Sequence, residues 1–179
     1  MKIHFGIVLF CVLSSSLVFS HQREHSAHVH GQGKISIAFD QTSGSIDMEV
    51  PAEVLFGFEH EAKTEKDQKT QSEALAKLES SMTDMVRFDE SLGCVTKKKN
   101  IEVKIEKQEE KKGKHVHGQH SDVDAEFEVT CQKSPLNSKL IINIQKYFPR
   151  LKKTEVQVLL GNIQKKIQAT QNGTTLELK

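Results

Sequence analysis

The phrase HVHGQ occurs at 28–32 and again at 115–119, in a chain of 179 residues that carries 9 histidines. Each copy sets two imidazoles at i and i+2. On an extended segment His28 and His30, or His115 and His117, therefore share a face with Cα atoms about 7 Å apart. Two neutral ring nitrogens at that spacing can lean onto one metal ion, and the glycine that follows lets the backbone bend so that they converge. Histidine is a common ligand of zinc, whose tetrahedral sites are completed by carboxylate or water. Each phrase is half a site. Further donors stand close by: His21, Glu24 and His25 before the first copy, His120 and Asp122 after the second. A solvated HxH also occurs with no ligand role, so the case for metal rests on duplication and crowding. Downstream of residue 20, histidines fall at 21–30, 60 and 115–120 and nowhere else.

His60, in GFEHE, stands apart. The second histidine of HExxH is missing, so the zinc-protease motif is absent. His60 reads either as an isolated surface residue or as a third ligand that the fold brings to His28 and His30. Met82 and Met85 suggest Cu(I), but two methionines at one helix end are read as core. In the acidic stretch 122–128, Asp122 is near enough to His120 to be a ligand candidate, whereas Glu126 and Glu128 read as a solvated strand face. Catalysis finds no support: GxSxG and a phosphate loop are lacking, and an acidic face alone does not place an acid and a base in a cleft. The chain is expected not to be an enzyme.

The opening MKIHFGIVLFCVLSSSLVFS has the charged start, apolar run and small-residue end of a secretory signal. Its apolar run, 5–13, is shorter than the ~20 residues of a membrane span. Cys11 follows Phe10, where a lipid-attachment signal wants a small residue. The mature chain is expected to begin at His21, to be periplasmic, and to have no membrane attachment after cleavage. Without residues 1–20 it holds 24 Lys and Arg against 24 Asp and Glu. That balance offers no electrostatic case for nucleic acid or an anionic membrane. Cys94 and Cys131 remain, an even pair that in an oxidising compartment reads as one disulfide. The rival reading is a pair of soft metal ligands, although neither cysteine sits in a CxxC or beside a histidine.

Around these residues, 33–50 alternates cleanly. Ile35, Ile37 and Phe39, then Ile46, Met48 and Val50 after a Ser-Gly turn, predict a hairpin with one buried face that Pro51 ends. Thr64, with Asp67 three residues on, reads as the N-cap of a helix over 65–82 whose apolar stripe is Leu75, Leu78 and Met82. MVRF and NIEVKIEK read as strands, with Ile101, Val103 and Ile105 on one face. In HSDVDAEFEVTC the odd positions are core-facing and the even ones form a ladder of His120 and four carboxylates. LIINIQ and TEVQVLL read as strands, and Asn172-Gly173 as a hairpin turn. The fold class is α+β: mostly antiparallel strands with one main helix, one disulfide and a mobile histidine-containing loop. The expected divisions are a signal peptide (1–20), a His-rich segment (21–32), an α+β half (33–106), a loop (107–119) and a β-rich half (120–179).

The order of signal peptide, HxHG, alternating strand pair, PAEVLFGFEHEAKT, helix, Gly93-Cys94, histidine loop and a strand ending in Cys131 resembles the ZrgA family of zinc-regulated periplasmic proteins. The likeness spans nearly the whole mature chain, and FGFEHEAKT followed by a helix carries it most specifically. It implies a zinc binder working alongside a high-affinity importer, with a partner such as the importer's periplasmic binding protein. By position, His28 and His30 match the family's HxHG, His60 its FEH, and His115, His117 and His120 its histidine loop. Family loops are often dense in His and acid, whereas this one is mostly Lys and Glu. The resulting reading is a protein that captures or stores Zn²⁺ through His28, His30, His60, His115, His117, His120 and Asp122. Two alternatives stay open: a copper or nickel binder of the same architecture, because an open His/carboxylate site holds Cu²⁺ more tightly than Zn²⁺, and a structural or interaction domain of the envelope.

Overall fold

The computed structural model describes residues 31–105 and 120–179. The first strands, β1 (Gln32–Asp40) and β2 (Ser43–Pro51), form the expected hairpin with Ile37 opposite Ile46. All six apolar residues of the alternation are buried. The turn is Gln41-Thr42, with Gln41 at φ 55, rather than the expected Ser-Gly. Ser43 and Gly44 already belong to β2, and Gly44 pairs with Phe39. A Cβ on Gly44 would fall 2.8 Å from the Phe39 ring, so the glycine there serves packing and not the bend.

After Pro51 the chain forms a short helix, α1 (Ala52–Phe56), and then α2 (Glu65–Met85). The Thr64 side chain accepts a hydrogen bond from the Asp67 backbone N–H, as its spacing predicts. Leu78, Met82 and Met85 of α2 are fully buried and Leu75 packs partly against them, so both methionines are core. Four strands complete one sheet: β4 (Val95–Ile105), β5 (Ser121–Thr130), β7 (Lys153–Leu160) and β8 (Ile163–Ala169). Its order is β4-β5-β2-β1-β7-β8, antiparallel except for the parallel β1/β7 pair. A second sheet joins β3 (Val86–Phe88), β6 (Lys139–Ile142) and β9 (Thr174–Glu177) in the order β3-β6-β9. The inner faces of both sheets and α2 share a single core, and an edge-on contact between Phe39 and Phe88, 5.3 Å between centroids, joins the sheets. Strands from either side of residues 106–119 lie in both sheets, so the two expected halves interleave.

Two local readings need correction, and one strand goes unread. LIINIQ is strand only to Ile142. A four-residue helix, α3 (Ile144–Tyr147), follows, where Asn143 ties to the end of α2 through hydrogen bonds to Met85 and Asp84. Asn172-Gly173 does not join neighbouring strands, because β9 crosses to β6 in the other sheet. The strand β8, whose core-facing positions Ile163 and Ile167 are separated by Lys165, carries too little apolar alternation to be recognised. Ile101 and Val103 are half-buried and Ile105 is 36% exposed, since β4 is an edge strand.

Cys94 and Cys131 are bonded to each other, which settles the choice between disulfide and soft ligands. The bond lies beside the Val95/Thr130 pair, whereas Ile105 and Ser121 pair at the other end of the β4/β5 ladder. Cys94 and Cys131 flank the histidine loop in sequence, yet in space they close the end of the ladder opposite Ile105 and Ser121.

Candidate metal centre

Antiparallel pairing decides which termini meet. Pro51 at the end of β2 pairs with Asp122 at the start of β5, and Asp122 pairs with Lys104 near the end of β4. The start of β1, at Gln32, lies beside Lys153 of β7. The residues leading into β1 and β5, and those leaving β2 and β4, therefore share one end of the large sheet.

At that end α1 finishes on Gly57, at φ 90 in the left-handed region that glycine tolerates. A Cβ there would lie 2.9 Å from the Arg150 guanidinium, the movable end of a long side chain, so it is the left-handed backbone that disfavours a side chain at this position. Beyond this turn the backbone oxygen of Glu59 accepts the Ser121 hydroxyl at 2.7 Å. The Glu59 carboxylate lies 2.6 Å from His120 Nδ1. The carboxylate is mostly covered, its side chain 18% exposed, while the imidazole keeps 45% exposure.

His60 follows a different course. Its ring stacks on Phe58 at 4.6 Å, and Phe58 in turn leans on Phe56 at 5.6 Å. Its Nε2 is 3.4 Å from Asp67, and the side chain is 59% exposed. Asp67 also accepts the Thr64 hydroxyl at 2.7 Å. The Thr64 hydroxyl first, and His60 after it, hold the Asp67 carboxyl below its usual range. The residues between Gly57 and the α2 cap are thus held at Glu59 by Ser121 and His120 and at His60 by Asp67.

The acidic ladder of β5 divides. Asp122 is buried, 7% exposed, contrary to the solvated face its parity suggests. Asp124 pairs with Lys104, whose ammonium is held above the usual lysine value by Asp124 first and Glu102 second. Glu126 pairs with Lys99 at 3.5 Å, and Glu128 is exposed. Lysines of the neighbouring edge strand thus answer Asp124 and Glu126, which agrees with reading Glu126 and Glu128 as a solvated strand face.

Of the sequence-derived ligand candidates, the structure places His60, His120 and Asp122. His28, His30, His115 and His117 lie outside the described residues. Among the described residues no three His, Cys, Asp or Glu are grouped so as to hold a metal ion. Glu59 is the residue the sequence reading missed. Its only local signal is that it stands beside His60 in FEHE.

A family profile described as ZrgA family zinc uptake protein matches residues 27–178. The chain belongs to the ZrgA family. No curated protein matches it. ZrgA membership ties the chain to zinc uptake, and the matched span takes in both HVHGQ phrases, the FEH segment and the disulfide. No described helix of this ZrgA family chain is long and apolar enough to cross a membrane.

Proposed function

We propose that the protein is a non-catalytic periplasmic zinc binder that captures or stores Zn²⁺ and supports its high-affinity uptake. The ion is cargo here, and the donors proposed for it are His28, His30, His60, His115, His117, His120 and Asp122. The observation that carries this reading is the position of His120. It lies against Glu59 at the sheet end where Gly31, the glycine of the first HVHG, joins the body by accepting N–H bonds from Lys152 and Lys153 at 2.9 and 3.2 Å. His120 directly follows the second HVHGQ, and His30 directly precedes Gly31. Gly31 and His120, the first described residues at the two phrases, both stand at this end. Imidazole and carboxylate are the donors zinc takes. Membership of a zinc uptake family agrees with this reading.

The test is calorimetric titration of metal-free protein spanning 21–179 with Zn²⁺, beside His28→Ala/His30→Ala, His115→Ala/His117→Ala and the fourfold variant. Uptake that weakens in each double variant and disappears in the fourfold one fits a site, or linked sites, built on both phrases. A wild-type chain that takes up no zinc ends the proposal. The delivery step has its own readout: zinc transfer to the substrate-binding protein of the importer, followed by mixing loaded protein with that partner in metal-free form.

A further inference from the structure

We infer that Glu59 is a positioning residue for His120: its carboxylate holds the ring by Nδ1–H and so makes Nε2 the nitrogen available to a metal ion. This rests on the zinc-capture reading for its purpose, but its geometry stands alone. A neutral imidazole carries one N–H and one lone pair, and an ionised carboxylate can only accept. An ionised Glu59 with Oε2 2.6 Å from Nδ1 assigns the proton to Nδ1 and, in the neutral ring, leaves the lone pair to Nε2. Metal-binding histidines commonly give their second N–H to a carboxylate, which fixes tautomer and ring orientation and raises the basicity of the coordinating nitrogen.

Two further features suit Glu59 to this task. Its backbone oxygen is bound by the hydroxyl of Ser121, the residue next to His120, so Glu59 and His120 are clamped together by a second hydrogen bond that does not involve either ionisable group. The carboxylate is also much more covered than the ring it holds, 18% against 45%. The fixed partner faces inward and the ligand keeps access to solvent. The role inferred for Glu59 is that of a partner to the ring through Oε2, and the Glu59→Gln variant below separates it from direct ligation.

The experiment is nitrogen NMR of histidine-labelled, metal-free protein at mildly alkaline pH, where an ordinary imidazole is neutral, followed by zinc titration of wild type, Glu59→Gln and Glu59→Ala. In wild type His120 is expected as the Nδ1–H tautomer, with its Nε2 resonance moving on addition of zinc. Glu59→Ala is expected to shift the ring toward the Nε2–H form and to weaken zinc binding by about 10–100-fold. Glu59→Gln, which keeps an acceptor oxygen without the charge, should fall between the two. A wild-type His120 protonated on Nε2 overturns the inference without any variant. So does a Glu59→Gln protein that loses zinc as fully as Glu59→Ala, because that marks a direct ligand. Wild-type protein that shows the Nδ1–H tautomer yet takes up no zinc sinks the zinc-capture reading and leaves the hold of Glu59 on His120 standing.

Discussion

His120 and Glu59 stand 61 residues apart in the chain, and the ring nitrogen of one lies 2.6 Å from the carboxylate of the other. The pair joins the segment after α1 to the first residue before β5, at the sheet end shared by the starts of β1 and β5 and the ends of β2 and β4.

The Cys94–Cys131 bond closes a separation of 37 residues, for which the chain-entropy account gives about 4 kcal/mol of stabilisation. Cys94→Ser/Cys131→Ser should lower the denaturant midpoint by a corresponding amount. Because the bond lies at the end of β4/β5 away from Ile105 and Ser121, the stoichiometry of zinc uptake should not change while the protein is folded. Loss of zinc sites under conditions where circular dichroism reports a folded chain would place the cysteines at the metal after all.

Met82 is 1% exposed in the core and belongs to no site. Met82→Ala should cost about 2–5 kcal/mol in unfolding free energy. Its affinity for Cu(I) or Zn²⁺ should equal that of wild type. A drop in Cu(I) affinity without a drop in stability would contradict the assignment of this residue to packing.

Thr64 caps α2 through the Asp67 N–H at 3.1 Å and its hydroxyl also reaches the Asp67 carboxylate. Replacement by Ala should destabilise the protein by about 0.5–2 kcal/mol, measured by urea unfolding. The Asp67 carboxyl should rise toward its ordinary value at the same time, since the Thr64 hydroxyl is the largest cause of its depression. Carboxyl carbon shifts followed against pH would register the change.

Asp84 accepts Lys146 Nζ and the Tyr147 hydroxyl, each at 2.7 Å, and these bonds, Lys146 first, hold its carboxyl below the usual carboxylate range. A carboxyl lowered in the folded state adds stability that is fully present above its unfolded value and lost as pH falls through its folded one. Asp84→Asn should therefore be less stable than wild type near neutrality. The gap should close as pH drops below about 4. Denaturant midpoints of the two proteins across that range test it, and a gap that stays constant into strong acid would show that the ionised form of Asp84 is not what matters.

Much of this fold is legible locally. Alternation in 33–50 and 120–131 marks β1, β2 and β5 because side-chain direction on a strand has period two, and that period is written in neighbouring residues. The Thr64 cap and the Leu75, Leu78, Met82 stripe are likewise short-range signals, spanning one or a few turns. Elements without such a signal go unread: β8 alternates Ile with Gln and Lys on a sheet edge, and α3 is a single turn set by hydrogen bonds to α2.

The sequence by itself determined the donor types, the paired HxH spacing, the apolar faces and the even cysteine pair, all of which depend on residue chemistry and near neighbours. The folded chain alone shows that β9 pairs with β6, that the disulfide sits at the opposite end of the β4/β5 ladder from Ile105 and Ser121, and that Asp122 is buried. It also shows that Glu59, not His60, meets His120. These are relations between segments dozens of residues apart. They are set by strand register, by the left-handed turn at Gly57 and by the Ser121 bond to the Glu59 backbone, and no local pattern encodes which distant side chains those constraints will bring within a hydrogen bond.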